Sequence, residues 1–197
     1  MKTLLLLFTL VTPMLTEKNE PVLVMPNRPV LVTPNRALLV KPNINKAWYD
    51  MLRGVKHFES FRAEAYTCCG GKRTIGYGHT GKAVSKGIIS QQEATALLET
   101  QLHKTKQVVL SMVKVPLTDN QLAALTSFTY NCGRGALYQL VSQEGRLNDG
   151  NYQSVSEVLP MYRKAGGKVR KGLVKRRKFE LALWNNSVEH FNSLIMN

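Results

Sequence analysis

Residues 59–80 of this 197-residue chain, ESFRAEAYTCCGGKRTIGYGHT, limit what it can fold into more than any other stretch. Two periodicities meet there. Upstream, Trp48, Met51, Leu52, Val55 and Phe58 recur at helical spacing, which predicts a packed helix over 45–59 with Glu59 at its end. Downstream, Cys69-Gly70-Gly71-Lys72 is a turn signal, and the residues from Arg73 to Gly78 read as a short strand. A helix end facing a hairpin makes a cleft. One side chain from the helix and two from the hairpin can then converge on a single bond of a bound ligand.

The rest of the chain reads as helix. Ser90 and Glu93 form a capping box, and Ala94, Leu97, Leu98, Leu102, Val108 and Val109 carry an apolar stripe to about residue 113. This long helix is a natural connector between two lobes. Pro116 ends it, and Thr118 and Gln121 repeat the capping signal. Leu122, Leu125, Phe128 and Cys132 share a face of the next helix, which Gly133 and Gly135 are expected to stop. Three further helices are expected over 137–147, 152–162 and 172–184, with glycines between them. Only residues 65–80 read as strand. The fold class is mainly α with a small β-hairpin sheet: a small N-terminal lobe and a helical C-terminal lobe joined by the long helix.

The first 44 residues look different. Residues 1–19 open with Lys2 and an apolar run shorter than the ~20 residues of a membrane span. They read as an export signal or a releasable membrane anchor. Residues 20–44 repeat an octad, PVLVMPNR, PVLVTPNR, ALLVKPNI, with Pro26, Pro34 and Pro42 in register. Each proline removes a backbone donor and disfavours helix before it, so this is an extended linker. The folded domain is 45–197.

Net charge is +14, from 27 basic and 13 acidic residues. Such a surface favours polyanions. The densest run opens at Arg163 and closes at Lys178, with nine cations. Read blandly it is a solvated helix face with Arg176, Arg177 and Glu180 in structural ion pairs; read functionally it meets an anionic envelope polymer or membrane surface. Nucleic acid is not expected as a partner, since base-stacking aromatics and a recognisable module are both missing. Three cysteines do not make a disulfide framework.

Three blocks carry a resemblance. Glu59, Cys68, Thr74, Ile75, Gly76, Gly78 and His79 form the first, Ser127 to Gly133 the second, and Gly172, Leu173, Arg176, Arg177 and Glu180 the third. In this order and spacing they resemble the phage-type (T4-like) lysozymes, or endolysins, over roughly residues 45–185. The resemblance implies an α+β lysozyme-like fold. It also implies a muramidase that cuts the β-1,4 bond between N-acetylmuramic acid and N-acetylglucosamine, without metal or cofactor, for host-cell lysis.

Carried over residue by residue, Glu59 is the general acid, with Phe58 and Phe61 as an apolar wall. Cys68 holds a position that is Asp in many relatives; with Thr74 it would position the attacking water of an inverting reaction. Lys72 and Arg73 would favour the thiolate, which could activate the water or attack the sugar carbon itself. Tyr77, Tyr130 and Asn131 are candidate sugar contacts, and His79 a structural histidine. The alternative is a catalytically silent lysozyme fold that binds envelope polymers or a membrane surface through its basic face. The resemblance places the protein in the periplasm, by export or by release from a membrane anchor, after synthesis in the bacterial cytoplasm. A monomer is expected.

Overall fold

The computed structural model describes residues 45–68 and 71–188. The predicted leader, the octad linker and the turn residues Cys69 and Gly70 lie outside the described residues.

Helix α1, Lys46–Glu59, starts where the Asn45 side chain accepts from the backbone N–H groups of Ala47 (3.0 Å) and Trp48 (3.3 Å). Its buried face is Ala47, Asp50, Met51, Gly54 and Val55, while Trp48, Leu52 and Phe58 sit half-buried at its flanks. Gly54 explains that rotation. A Cβ there would lie 2.1 Å from Cζ of Phe179, so the bare helix surface admits a whole aromatic ring. The helix ends in Ser60, whose φ of 56° and ψ of 142° are costly for any residue but glycine, about 1–3 kcal/mol. That bend turns the chain sharply into the sheet directly after Glu59.

Strands β1 (Arg62–Thr67) and β2 (Arg73–Gly76) are antiparallel, with Tyr66 opposite Thr74, Thr67 opposite Arg73, and a bulge between Arg62 and Tyr66. β1 begins before the expected start at Ala65. Its first half has little intrinsic strand preference; residues far along the chain hold it. The Ala65 N–H donates to the Gly87 carbonyl and the Ile89 N–H to that of Ala63, both at 2.9 Å. A short 3₁₀ stretch, Gly81–Lys86, leads to α2, Gln91–Met112. Both halves of the Ser90/Glu93 capping box form. A hydrogen bond from Lys86, with others from Ser90, holds the Glu93 carboxyl down to about 2. Ala94, Leu98, Leu102 and Val109 form the buried stripe, and at ~1.5 Å rise per residue the helix reaches from the hairpin lobe into the helical lobe.

Helix α3, Asp119–Val141, is the centre of the helical lobe. It has the second capping box, from Thr118 and Gln121; all residues from Ala123 to Thr129 are buried, and α1, α2 and α5 pack on it. The expected stop at Gly133 is a kink instead. Gly133 alone leaves helical geometry (φ 83°, ψ 170°) and the helix resumes to Val141, so the separate helix expected over 137–147 does not form. Leu147 belongs to a 3₁₀ turn, Leu147–Asp149. Helix α4, Gln153–Val158, continues as a 3₁₀ turn, Leu159–Met161, where Pro160 offers no N–H for a longer helix.

A second hairpin was not foreseen. β3 (Lys164–Ala165) pairs with β4 (Lys168–Val169) across Gly166 and Gly167. Both glycines have positive φ, 57° and 76°, as the tightest hairpin turns require. Helix α5, Lys171–Trp184, completes the fold, burying Arg176, Arg177, Phe179, Glu180, Leu183 and Trp184. The predicted solvated helix face over 163–178 is thus half hairpin, and two of its nine cations are interior. No helix among the described residues is long and apolar enough to cross a membrane.

Candidate active site

Glu59 is the last residue of α1, and its side chain is 25% exposed. It faces the turn after β2: a Cβ on Gly78 would come within 4.0 Å of the carboxylate. From the other side, Arg176 Nη1 donates to Glu59 Oε1 at 2.5 Å. Arg176 is itself buried, with its guanidinium 5.7 Å from the Phe58 ring centroid, while Phe61 packs on Tyr77. A buried fork from a third element therefore fixes where the carboxylate points.

Arg176 belongs to a larger network. Arg177 binds both oxygens of Glu180, at 2.8 and 2.9 Å, and Arg176 Nε reaches the same carboxylate at 3.4 Å. The Ser127 hydroxyl donates to Glu180 at 2.9 Å. Arg177 Nη2 also donates to Asn131 Oδ1 at 2.8 Å, and Nη1 to Cys132 Sγ at 2.7 Å. Burial pushes the Glu180 carboxyl up, against the pull of Arg177 and Arg176. Burial likewise pushes the Cys132 thiol up, with Arg177 opposing. Two buried guanidiniums thus share Glu180, and Arg176 also reaches Glu59. Glu59 of the first block, Ser127, Asn131 and Cys132 of the second and Arg176, Arg177 and Glu180 of the third are therefore one hydrogen-bonded cluster. The reach of Arg176 to Glu59 was missed from sequence; the Arg-Arg pair three and four residues before Glu180 was the available signal, since that spacing stacks all three on one helix face.

The hairpin residues sit together. Cys68 follows Thr67, its N–H donates to the Lys72 carbonyl at 2.9 Å, and it is half-buried. Alternation along the strands puts Cys68 and Thr74 on the same face as diagonal neighbours. Thr74 is buried, and its hydroxyl donates weakly to the Tyr66 carbonyl at 3.5 Å, which leaves its lone pairs free to accept from water.

Tyr130 is half-buried and its hydroxyl donates to Gln101 at 3.3 Å. Its phenol is pushed up to about 12, first by burial and then by the nearby charge of Glu59. Asn131 is exposed; with its oxygen held by Arg177, its amide N–H₂ is directed elsewhere and is free for a ligand. Tyr77 is a correction. It is only 2% exposed, packs on Phe61, and its hydroxyl accepts from Gln91 at 3.2 Å, so it is core behind the site and presents no face to a sugar. His79 is interior as expected. Among the described residues neither ring nitrogen has a well-aligned hydrogen-bond partner; burial lowers its basicity, while the nearby carbonyls of Ile75 and Leu97 and the charge of Glu59 act the other way.

A carboxylate at a helix end, a two-stranded hairpin beside it and a helical lobe behind it define the lysozyme-like α+β class. The chain belongs to the phage lysozyme family, whose family model matches residues 56–180. It is 38% identical over 145 residues to an endolysin of Bacillus phage B103, covering 72% of this chain and 54% of that protein. The chain thus spans about half the length of the Bacillus phage relatives it matches. A SAR-endolysin of Escherichia phage Mu is 33% identical over 129 residues, covering 66% of this chain and 75% of the other. Among solved structures, the muramidase domain of SpmX from Asticaccaulis excentricus matches with a TM-score of 0.61 and 31% identity, covering 68% of this chain and 93% of that one.

Proposed function

We propose that the protein is a muramidase that hydrolyses the β-1,4 bond between N-acetylmuramic acid and N-acetylglucosamine in peptidoglycan, for lysis of a bacterial host. The observation that carries this reading is the placement of Glu59: quarter-exposed at the end of α1, oriented by Arg176, against the hairpin that holds Cys68 and Thr74. In this mechanism Glu59 gives its proton to the leaving glycosidic oxygen. A water accepted by Thr74 and deprotonated by the Cys68 thiolate attacks the anomeric carbon as the carbon–oxygen bond breaks. Asn131 and Tyr130 contact the sugars. No step calls for a metal or cofactor.

The enzyme acts as a monomer on wall polymer outside the host cytoplasm. The apolar start of the sequence supports export or release from an anchor, and the Mu relative's name suits that route. The exposed part of the 163–178 run draws the protein toward an anionic envelope.

Clearing of a suspension of purified peptidoglycan tests the reading. Glu59→Gln is expected to abolish clearing. Cys68→Ala should lose most of it and Cys68→Asp retain it. Lysis that ignores Glu59→Gln would replace hydrolysis with charge-driven disruption, and full activity of Cys68→Ala would remove the thiol from the mechanism.

A further inference from the structure

We propose that the β3–β4 hairpin is a docking element for an anionic lipid surface. Every residue from Arg163 to Gly172 is exposed. Five of them, Arg163, Lys164, Lys168, Arg170 and Lys171, are cations, and none of the five forms a salt bridge among the described residues. The sequence carries no acid between Glu157 and Glu180, and Glu180 is buried and taken by Arg176 and Arg177. Among the described residues nothing pairs with this positive charge.

Two apolar side chains stand among these cations. Val169 is 53% exposed and Met161 67%. They are linked through the hairpin base: the Arg163 N–H donates to the Met161 carbonyl at 2.9 Å, and the Arg170 N–H, next to Val169, to the Arg163 carbonyl at 3.0 Å. Strands of two residues are marginal alone in water, and this pair is held by its glycine turn and its base. A hairpin with cations around two exposed apolar side chains at its base fits a surface that offers both phosphate and hydrocarbon. A soluble polyphosphate satisfies the cations but has no interior for Val169 and Met161, so lipid is the occupant these observations favour.

The hairpin also borders the cleft side of the domain. Lys164 and Ala165 share a cavity of 430 Å³ with Asn131, Cys132, Ala136 and Tyr162. Docking here would hold the site at the membrane face, where newly made glycan lies. That consequence rests on the muramidase reading; the docking itself does not.

The test is co-sedimentation of the full-length protein with phosphatidylglycerol/phosphatidylcholine vesicles. Pure phosphatidylcholine vesicles set the background, which the apolar N-terminal stretch would contribute equally in every variant. Each cation at an anionic surface is worth roughly fivefold in binding, so K168E/K171E should weaken anionic-vesicle binding about tenfold or more. Val169→Ser should weaken it roughly fivefold while leaving lipid-free peptidoglycan digestion at the wild-type rate. Equal binding by wild type and K168E/K171E would overturn the proposal. Loss on charge reversal with Val169→Ser and Met161→Ser both at wild-type affinity would also overturn it, by making the partner a soluble polyanion. A failed muramidase reading would appear only in the lipid-free assay.

Discussion

Arg176 and Arg177 lie a few residues along the chain from Lys168 and Lys171, and the two sets have opposite fates. The arginines are interior, forked onto Glu59 and Glu180 and closed over by Phe58 and Phe128. The lysines face water and form no salt bridge among the described residues. Their side-chain charge is the same; what differs is whether the fold supplies a carboxylate and removes the solvent. A net charge of +14 says nothing about this, because interior pairs and bare surface cations count alike in the sum. Interior charges organise a site and are costly to unbalance, whereas exposed ones steer partners and cost little to change.

The sharpest way to break this contrast is Glu180→Gln. It leaves two buried guanidiniums short of a counter-charge and should destabilise the domain by about 3–5 kcal/mol in urea unfolding. A loss under 1 kcal/mol would mean that water reaches the cluster and that the arginines behave like surface cations. Arg176→Lys keeps the charge but cannot serve Glu59 and Glu180 at once. It should cost about 2 kcal/mol and lower the rate of peptidoglycan clearing, whereas Lys168→Arg should change neither.

Acidification separates a titrating interior base from permanent charges. His79 is held neutral by burial, so its folded basicity lies below that of the unfolded chain, which takes up a proton near pH 6.5. The unfolded state then binds more protons as pH falls through that value, and stability is lost in that direction, at no more than about 1.4 kcal/mol per pH unit. Thermal unfolding between pH 7.5 and 5 should show the slope, and His79→Gln should flatten it. The smallest effect belongs to the hairpin: Lys168→Gln should move stability by under ~0.5 kcal/mol, since nothing in the fold depends on it.

Legibility from sequence follows the same line between local and distant causes. Both capping boxes and the ends of α1 and α2 are set by residues within one turn of each other, and they were readable. So was the place of Glu59 at a helix end beside the hairpin. What failed depended on partners elsewhere in the chain. β1 begins at Arg62 because residues 87–89 pair with it. Tyr77 looked like a cleft residue beside a glycine, and Phe61 and Gln91 make it core. Gly133 looked like a stop, yet the helix resumes because Leu137, Leu140 and Val141 are buried beyond it. Gly166-Gly167 was read as spacing between helices, though paired left-handed glycines are themselves a hairpin signal. The link from Arg176 to Glu59 spans 117 positions, and no periodicity reports a contact of that range.

That long link has a consequence for how the molecule is made. The cation that aims Glu59 sits on the last described helix, so it leaves the ribosome long after α1 has emerged. A nascent chain halted before α5 holds Glu59, Cys68 and Thr74 yet lacks the guanidinium that orients Glu59. Completion of translation thus fixes Glu59 in place, and fragments released early by a stalled ribosome carry this carboxylate without the guanidinium that orients it.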